Sequence, residues 1–381
     1  MAFRRVKTAL IGSGAISKSY LTNMTQKFYV LDVVGCSDII PERSAKRAEE
    51  FGIRQMTNEE IWNDPDIEIV VNTTYPKSHY EVTKKSLEAG KHVVTEKMIA
   101  VTLEEGRELV ELARSRNLML ATAPDTFLGG GWQTARHLID AGFIGEPVSV
   151  YGVCVRSYQD HSDTLREPKS MVLSAGGGIP FDMGGYYLHN MINLLGPLTR
   201  VSGFMQTRNP VRPYTNPRHP KFGETFTVDS PNNMAAALEF ACGTIGTLTI
   251  TSEAAGYMFG DPRVEVHGTQ GSLILFDPND FGGKITLRRN TQEQAVEMPI
   301  MFPFSEECRG IGAADLAYAL LNGRKPRADC SIGLHAFEAI HGIWKSSDEG
   351  IMYTMQSTCE RPEALPFVAL AGNAYEAILN N

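Results

Sequence analysis

Residues Val6 to Ser17 read VKTALIGSGAIS, an apolar run that ends on two glycines and continues into residues able to open a helix. As strand, turn and helix, the stretch uses Gly12 for the tight turn. Gly14 lets the backbone approach a pyrophosphate held by the free N–H groups of the helix that follows. The turn Gly12, Ser13, Gly14, Ala15 and Ile16 would line a cofactor, with Ser17 standing where such turns carry Gly or Ala. Glycines also occur in strand-to-helix turns for purely structural reasons, so the context decides. A second apolar run, Val30 to Cys36, leads to Asp38, about twenty residues past the glycines, where a carboxylate accepts hydrogen bonds from an adenosine ribose. Strand, turn, helix, strand and acid in this order predict a dinucleotide site. Asp38 would repel a 2'-phosphate, and the adjacent Ile39 and Ile40 offer no cation, so NAD is expected over NADP, with Arg43 the nearest base.

The same alternation continues outward. Helices are expected over Ser17 to Met24 and Pro41 to Phe51, the latter with Pro41 at its first position and Gly52 just past its end. Glu68 to Thr73 is a short apolar strand that runs into NTTYPKSH; a helix from about Ser78 to Ala89, the strand HVVT, an acidic helix from Leu103 to Arg116 and LMLAT follow. Five strands with intervening helices make an α/β doubly wound parallel sheet. Its ligands sit at the carboxyl ends of the strands, which puts Gly12, Asp38, Thr73, Thr74, His79, Glu96 and Lys97 on one rim. Lys97 follows the fourth strand directly, where desolvation turns an ammonium into a catalytic group; a solvated lysine is the plain alternative.

The pattern changes after Pro124, dividing the chain into a domain over 1–124 and a second over 125–381. Beyond a helix at Gly131 to Ala141, strand-like runs recur at Val148 to Val153, Met234 to Phe240, Thr244 to Ser252, Arg263 to His267, Ser272 to Phe276 and Lys284 to Arg288. They lack crossover helices and are separated by Gly and Pro turns, as in an open, mainly antiparallel sheet of an α+β domain. Too few helices remain to cover both faces of that sheet, so a homo-oligomer is expected. The Pro-rich segment Asn209 to Pro220 is expected to be a surface loop.

Composition excludes several classes. With 381 residues, 43% hydrophobic and 21% charged, the chain has the make-up of a folded protein of about two domains. A formal net charge of -8 and the lack of a long basic run argue against a nucleic-acid partner. The six cysteines are widely spaced and form neither a metal knuckle nor a disulfide framework, so they read as reduced thiols. No apolar stretch reaches membrane-spanning length and the first strand begins near the first residue, which makes a cytoplasmic enzyme with no metal the expectation.

The second chemical cluster is GGGIPFDMGGYYLHNMINLLGP from Gly176. A helix here puts Asp182, Tyr186, His189 and Asn193 on one face, a stripe that would ordinarily meet solvent, while Gly184 and Gly185 imply a close neighbour. The order GSGAIS, CSD, NTTYPKSH, AGKHVVTEK, LIDAGFIGEP and GGGIPFDMGGYYLHNMINLLG resembles the glucose-fructose oxidoreductase and inositol dehydrogenase family, Gfo/Idh/MocA. The segments HGTQGSLILFDPNDFGG and RGIGAADLAYALLNGRKPRADCSIGLHAFEAI extend the likeness over nearly the whole chain.

The resemblance implies a nicotinamide enzyme with an α/β Rossmann domain and an open sheet domain, oxidising or reducing sugars, cyclitols or their glycosides. The family's Glu-Lys-Pro falls on Glu96, Lys97 and Met98, and its Asp followed four residues later by His or Tyr falls on Asp182 and Tyr186. Two positions depart from the pattern: Met98 replaces the usual proline, and His189 stands where relatives often carry Asp, Asn or Thr. On this basis Lys97 positions a secondary hydroxyl, Tyr186 removes its proton with Lys97 assisting and Asp182 orienting, and NAD takes the hydride. His189 would bond a neighbouring sugar hydroxyl, and His79 would shape the cofactor site. Tyr158 and His161, in RSYQDHSD, line the sugar pocket or belong to a solvated loop. Two other outcomes stay open: cleavage of a glycosidic bond through transient use of the nicotinamide, and a non-catalytic NAD-binding regulator.

Overall fold

The computed structural model describes residues 4–156, 177–254 and 263–367. Strands β1 (Val6–Ile11), β2 (Leu31–Ser37), β3 (Arg54–Gln55), β4 (Ile69–Asn72), β5 (His92–Thr95) and β6 (Leu120–Thr122) form one sheet. All are parallel, in the order β3-β2-β1-β4-β5-β6. Strand order reverses between β1 and β4, and the glycine turn lies there, at the switch point where such sheets open a crevice. The sheet has one strand more than expected, because β3 is only two residues long and too short for periodicity to reveal.

Local sequence explains the helices between these strands. Helix α1 (Ser17–Gln26) follows the glycine turn. In α2 (Pro41–Phe51) proline opens the helix and Gly52 closes it at φ 65°, left-handed backbone that glycine adopts without cost. Helix α3 (Asn58–Asn63) begins in a Thr57–Glu60 capping box, α4 (Pro76–Glu88) in another proline, and α5 (Leu103–Ser115) in a Thr102–Glu105 box. Each box satisfies N–H groups that a helix start leaves without partners.

After α6 (Gly130–Asp140) the second sheet is built from β7 (Pro147–Val155), β8 (Leu198–Gln206), β11 (Asn233–Phe240), β12 (Ile245–Thr251), β13 (Arg263–Gly268), β14 (Gly271–Ile274), β15 (Ile285–Arg289), β16 (Val296–Met298) and β17 (Tyr353–Thr354). The order is β16-β15-β14-β13-β7-β12-β11-β8-β17. Its pairings are antiparallel except that β12 runs parallel to β7, so the sheet is mixed. The proline segment differs from expectation: β9 (Val211–Pro213) pairs with β10 (Thr225–Thr227) as a separate two-stranded ribbon. Two strands suffice to accommodate a terminal proline that a central strand would reject.

Helix α7 (Ile179–Leu195) packs between this sheet and α9 (Cys330–Glu349). Every residue of α7 except Asp182 is buried, so its polar face meets protein rather than solvent. The two helical glycines have the expected close neighbours: a Cβ on Gly184 would lie 3.0 Å from Ile340 Cδ1, and one on Gly185 3.2 Å from Met98 Sδ. Helix α8 (Ile311–Asn322) returns to the first sheet, where Ile311, Ala314 and Leu316 join Leu10, Leu21 and Val71 in one apolar cluster. The segment from Phe302 to Tyr318 thus packs against the first sheet.

Candidate active site

Gly12, at φ 104°, cannot carry a side chain, since a Cβ there would lie 2.6 Å from the Thr73 carbonyl carbon and the Thr74 nitrogen. The Thr73 hydroxyl donates to the Gly12 carbonyl at 2.7 Å, fastening the β1 turn to the β4 turn. Gly14 differs. A Cβ there would meet no protein atom within 4 Å, and α1 begins without a side-chain cap. Open space over a glycine beside uncapped helical N–H groups fits a pyrophosphate. Ala15 is exposed and Ile16 half-buried on the same turn. The Ser13 N–H donates to Asp38 Oδ2 at 2.7 Å and the Ile40 N–H to Oδ1 at 2.9 Å, which fixes that carboxylate at the end of β2.

On the β4 side the Thr74 hydroxyl donates to Asn72 Oδ1 at 2.6 Å. His79 is buried; its Nδ1 lies 2.7 Å from the Met98 carbonyl oxygen and its Nε2 3.0 Å from that of Thr74, so it ties the β4 and β5 turns together. Burial lowers its pKa. These placements suit His79 to shaping the rim rather than to chemistry.

Lys97 and α7 meet at the end of β5. The Lys97 ammonium donates to Asp182 Oδ1 at 2.5 Å and to the Asp182 carbonyl at 3.1 Å, and lies 5.1 Å from the centroid of the Tyr186 ring. The Lys97–Met98 peptide is cis, as is Ala123–Pro124. Glu96 accepts from the Lys97 N–H at 3.2 Å and from the Tyr20 hydroxyl, on α1, at 2.6 Å. Burial works against charge on Lys97, but Asp182, Tyr186 and Glu96 outweigh it, so its pKa is raised and the ammonium persists. For Tyr186 burial dominates over Lys97 and Arg309, holding the phenol protonated above its ordinary range.

His189 sits one turn further along α7. Its Nδ1–H donates to the Gly185 carbonyl at 2.8 Å, its ring lies 6.4 Å from that of Phe127, and burial lowers its pKa to about 4. The lone pair therefore sits on Nε2, which has no hydrogen-bond partner among the described residues. As a neutral imidazole with so low a pKa it is a weak proton acceptor at neutral pH. Tyr158 and His161 lie outside the described residues.

Two arginines were not visible as site residues. Arg47 donates from Nε to Ser17 Oγ at 3.1 Å and from Nη2 to the Gly14 carbonyl at 3.4 Å, bracing the glycine turn. It lies on the inward side of α2 with Ser44 and Ala48, which helical spacing records, but periodicity does not say what that side meets. Arg309 places Nη2 3.4 Å from the Tyr186 hydroxyl. It comes from irregular chain just before α8, where no periodicity gives a direction.

Comparison with known proteins identifies the family. Residues 6–123 match the family model described as an oxidoreductase family with an NAD-binding Rossmann fold, and residues 132–274 match the GFO/IDH/MocA C-terminal domain. The chain belongs to the Gfo/Idh/MocA family. Its first domain is therefore an NAD-binding Rossmann fold, as the residues predicted. Among relatives, levoglucosan dehydrogenase of Pseudarthrobacter phenanthrenivorans is 25% identical over 291 residues, 71% of this chain and 74% of that protein. An NAD(+)-dependent scyllo-inositol 2-dehydrogenase of Bacillus subtilis is 25% identical over 274 residues, 71% and 74% of the two chains. The match to an oxidoreductase of Schizosaccharomyces pombe, 28% identical over 222 residues, spans 55% of this chain and only 57% of that one. Solved structures share the fold: levoglucosan dehydrogenase with NADH and L-sorbose superposes with a TM-score of 0.80 at 22% identity, covering 93% of this chain and 99% of that one. An NAD-binding oxidoreductase from Klebsiella pneumoniae gives 0.79 at 22% identity, covering 92% and 99%.

Proposed function

We propose that this family member interconverts a secondary hydroxyl and a ketone on a sugar, sugar derivative or glycoside with NAD as the redox partner. The observation that carries the reading is the bonded Lys97–Asp182 pair at the mouth of β5, with Tyr186 over the ammonium, on the same rim as the glycine turn. Relatives named for levoglucosan, 1,5-anhydro-D-fructose and scyllo-inositol support a polyhydroxylated substrate.

The cofactor would lie along Gly12, Ser13, Gly14, Ala15 and Ile16, with its adenosine ribose on Asp38 and its nicotinamide end toward Thr73, Thr74, His79, Glu96 and Lys97. Bound NAD supplies the hydride acceptor for oxidation, and NADH the donor for reduction. Lys97, kept charged by Asp182, donates a hydrogen bond to the reacting oxygen and stabilises it as it gains negative charge. In reduction the protonated Tyr186 gives its proton to that oxygen; in oxidation the phenolate takes it back. His189 Nε2, an acceptor only, suits a neighbouring hydroxyl of the substrate.

We further infer two domains divided near residue 124 and a cytoplasmic homo-oligomer. All six cysteines are unpaired, and among the described residues no helix is long and apolar enough to cross a membrane. On the second sheet Phe204 is 80% exposed and Ile245 61%, large apolar side chains of the kind a second copy covers.

The test is a panel of sugars, cyclitols and glycosides incubated with NAD and, in reverse, ketoses with NADH. Absorbance of the reduced cofactor is followed and products are identified by mass spectrometry. The reading expects stoichiometric ketone and NADH from at least one substrate. Folded protein that binds NAD yet turns over none of the panel would overturn it, and cleaved glycoside without net NADH would move it to the glycoside-cleaving alternative.

A further inference from the structure

This inference rests on the reading of Tyr186 as the proton-handling residue. Lys97 looked like its one cationic partner, but the ammonium faces the ring and is bonded to Asp182. The hydroxyl end of the ring is met by Arg309, whose Nη2–H donates toward the phenolic oxygen at 3.4 Å.

Arg309 is held on every side. Nη2 also donates to Asn279 Oδ1 at 2.7 Å and to the Asn279 carbonyl at 3.3 Å, and Nη1 pairs with the Glu307 carboxylate. Its backbone is fixed as well: the N–H donates to Glu307 Oε1 at 2.9 Å, and the carbonyl accepts from Asn23 Nδ2 at 3.0 Å. The N–H groups of Gly310 and Gly312 both donate to buried Asp125, at 2.9 and 3.0 Å. Gly310 takes φ 101°, and a Cβ there would lie 2.9 Å from Met24 Cγ, so the chain turns tightly at this point. The guanidinium itself lies 5.8 Å from the centroid of the Phe281 ring. A side chain this constrained delivers its charge to one place without reorganising.

The direction of the bond matters. Arginine only donates, so the Tyr186 oxygen accepts from it and the phenol's own proton is left to point away from Arg309. A fixed positive charge at the oxygen favours the phenolate over the phenol. We propose that Arg309 is the positioning residue that sets Tyr186 for proton transfer, orienting its hydroxyl proton away from the guanidinium and stabilising the phenolate left when that proton is given to the substrate oxygen. In oxidation the same phenolate takes the substrate's hydroxyl proton while the carbon-bound hydrogen leaves with its electron pair to NAD. The charged groups around Tyr186 are Lys97 and Glu96 from the end of β5, Asp182 acting through Lys97, and Arg309, itself flanked by Glu307 and Asp125. Of these only Arg309 bonds the phenolic oxygen in a described contact.

The experiment compares full-length native protein, Arg309→Gln, Arg309→Lys and Tyr186→Phe, each checked for NAD binding by fluorescence. The pH profile of oxidation is read with the substrate found in the panel. Ionisation of Tyr186 is read without turnover, as the ultraviolet tyrosinate difference between each protein and its Tyr186→Phe counterpart. Arg309→Gln should move both the ascending limb of oxidation and the tyrosinate transition upward by about one pH unit or more. Oxidation near neutral pH then falls about tenfold or more, and Arg309→Lys recovers part of the shift. A half-exposed neighbour guards against misfolded variants: Glu307→Gln removes a charge that opposes the guanidinium and should move the transition downward. An unmoved tyrosinate transition in folded Arg309→Gln, or in Glu307→Gln if the first does not fold, overturns this inference. If instead Tyr186→Phe keeps its rate, the reading of Tyr186 fails, and the titration still reports on Arg309.

Discussion

Replacing Lys97 by methionine removes the ammonium while keeping most of the side-chain volume, so it isolates charge from packing. The ammonium lies 5.1 Å from the Tyr186 ring centroid and closer still to Asp182. Removing a preorganised donor to an oxygen that gains negative charge in the transition state costs about 3 kcal/mol, or about two powers of ten in rate. Oxidation and reduction should therefore both lose about 10²-fold in kcat, with NAD affinity nearly unchanged. Stability should fall too, because Asp182 keeps its charge while losing the ammonium bonded to it. Breaking a buried pair costs about 3–5 kcal/mol. With 23% of the Asp182 side chain exposed, water offsets part of this, and about 2–3 kcal/mol is expected. The double variant Lys97→Met/Asp182→Asn should regain most of that stability and none of the activity. Steady-state kinetics and urea unfolding of the three variants give both numbers. A Lys97→Met protein within threefold of native kcat, or a double variant no more stable than the single one, would refute the reasoning.

Three other outcomes follow from the same structure. Catalytic efficiency with NAD should exceed that with NADP, because Asp38, pinned by the Ser13 and Ile40 N–H groups, meets the ribose with negative charge; equal or better use of NADP contradicts this. Acid should destabilise the protein from about pH 6.5 downward: burial puts His189, His335 and His341 each at about 4, so between these values the unfolded chain binds protons that the native one does not. Asp125, raised to about 6, has the opposite sign, leaving about two net protons and a loss of about 2–3 kcal/mol per pH unit near pH 5; a urea midpoint that stays flat from pH 7 to pH 5 rules this out. Phe204→Lys should shift the protein toward monomer in light scattering, and a native protein that is already monomeric at micromolar concentration refutes the oligomer.

Much of the first domain was legible because its signals are local. Gly12, Gly14 and Asp38 fall within one βαβ unit, and the rule that ligands sit at strand ends carries Lys97 to the same rim. The second domain yielded six of its strands and their mainly antiparallel arrangement, but not β8, β16 or β17 nor the one parallel pairing. The parallel pairing of β7 with β12 is made across a long stretch of intervening chain, and no short-range pattern records it. The stripe from Asp182 to Asn193 was read as solvent-facing because periodicity separates polar from apolar, not wet from dry. In the fold that face is buried beside the first domain, which is why the pKa of His189 falls to about 4 instead of staying at the free value. Arg309 reaches Tyr186 across 123 residues from an irregular segment, a contact only the folded chain reveals.

The central claim is that Tyr186, not His189, carries the proton. Geometry puts Tyr186 against both cations, whereas His189 is held neutral and bonded to its own helix. The decisive measurement is kcat for Tyr186→Phe and His189→Ala, each confirmed to bind NAD. Loss of the proton-transfer group predicts a fall of about 10²- to 10⁴-fold for Tyr186→Phe, while His189→Ala should act mainly on KM. Near-native kcat in Tyr186→Phe together with its loss in His189→Ala would contradict the account.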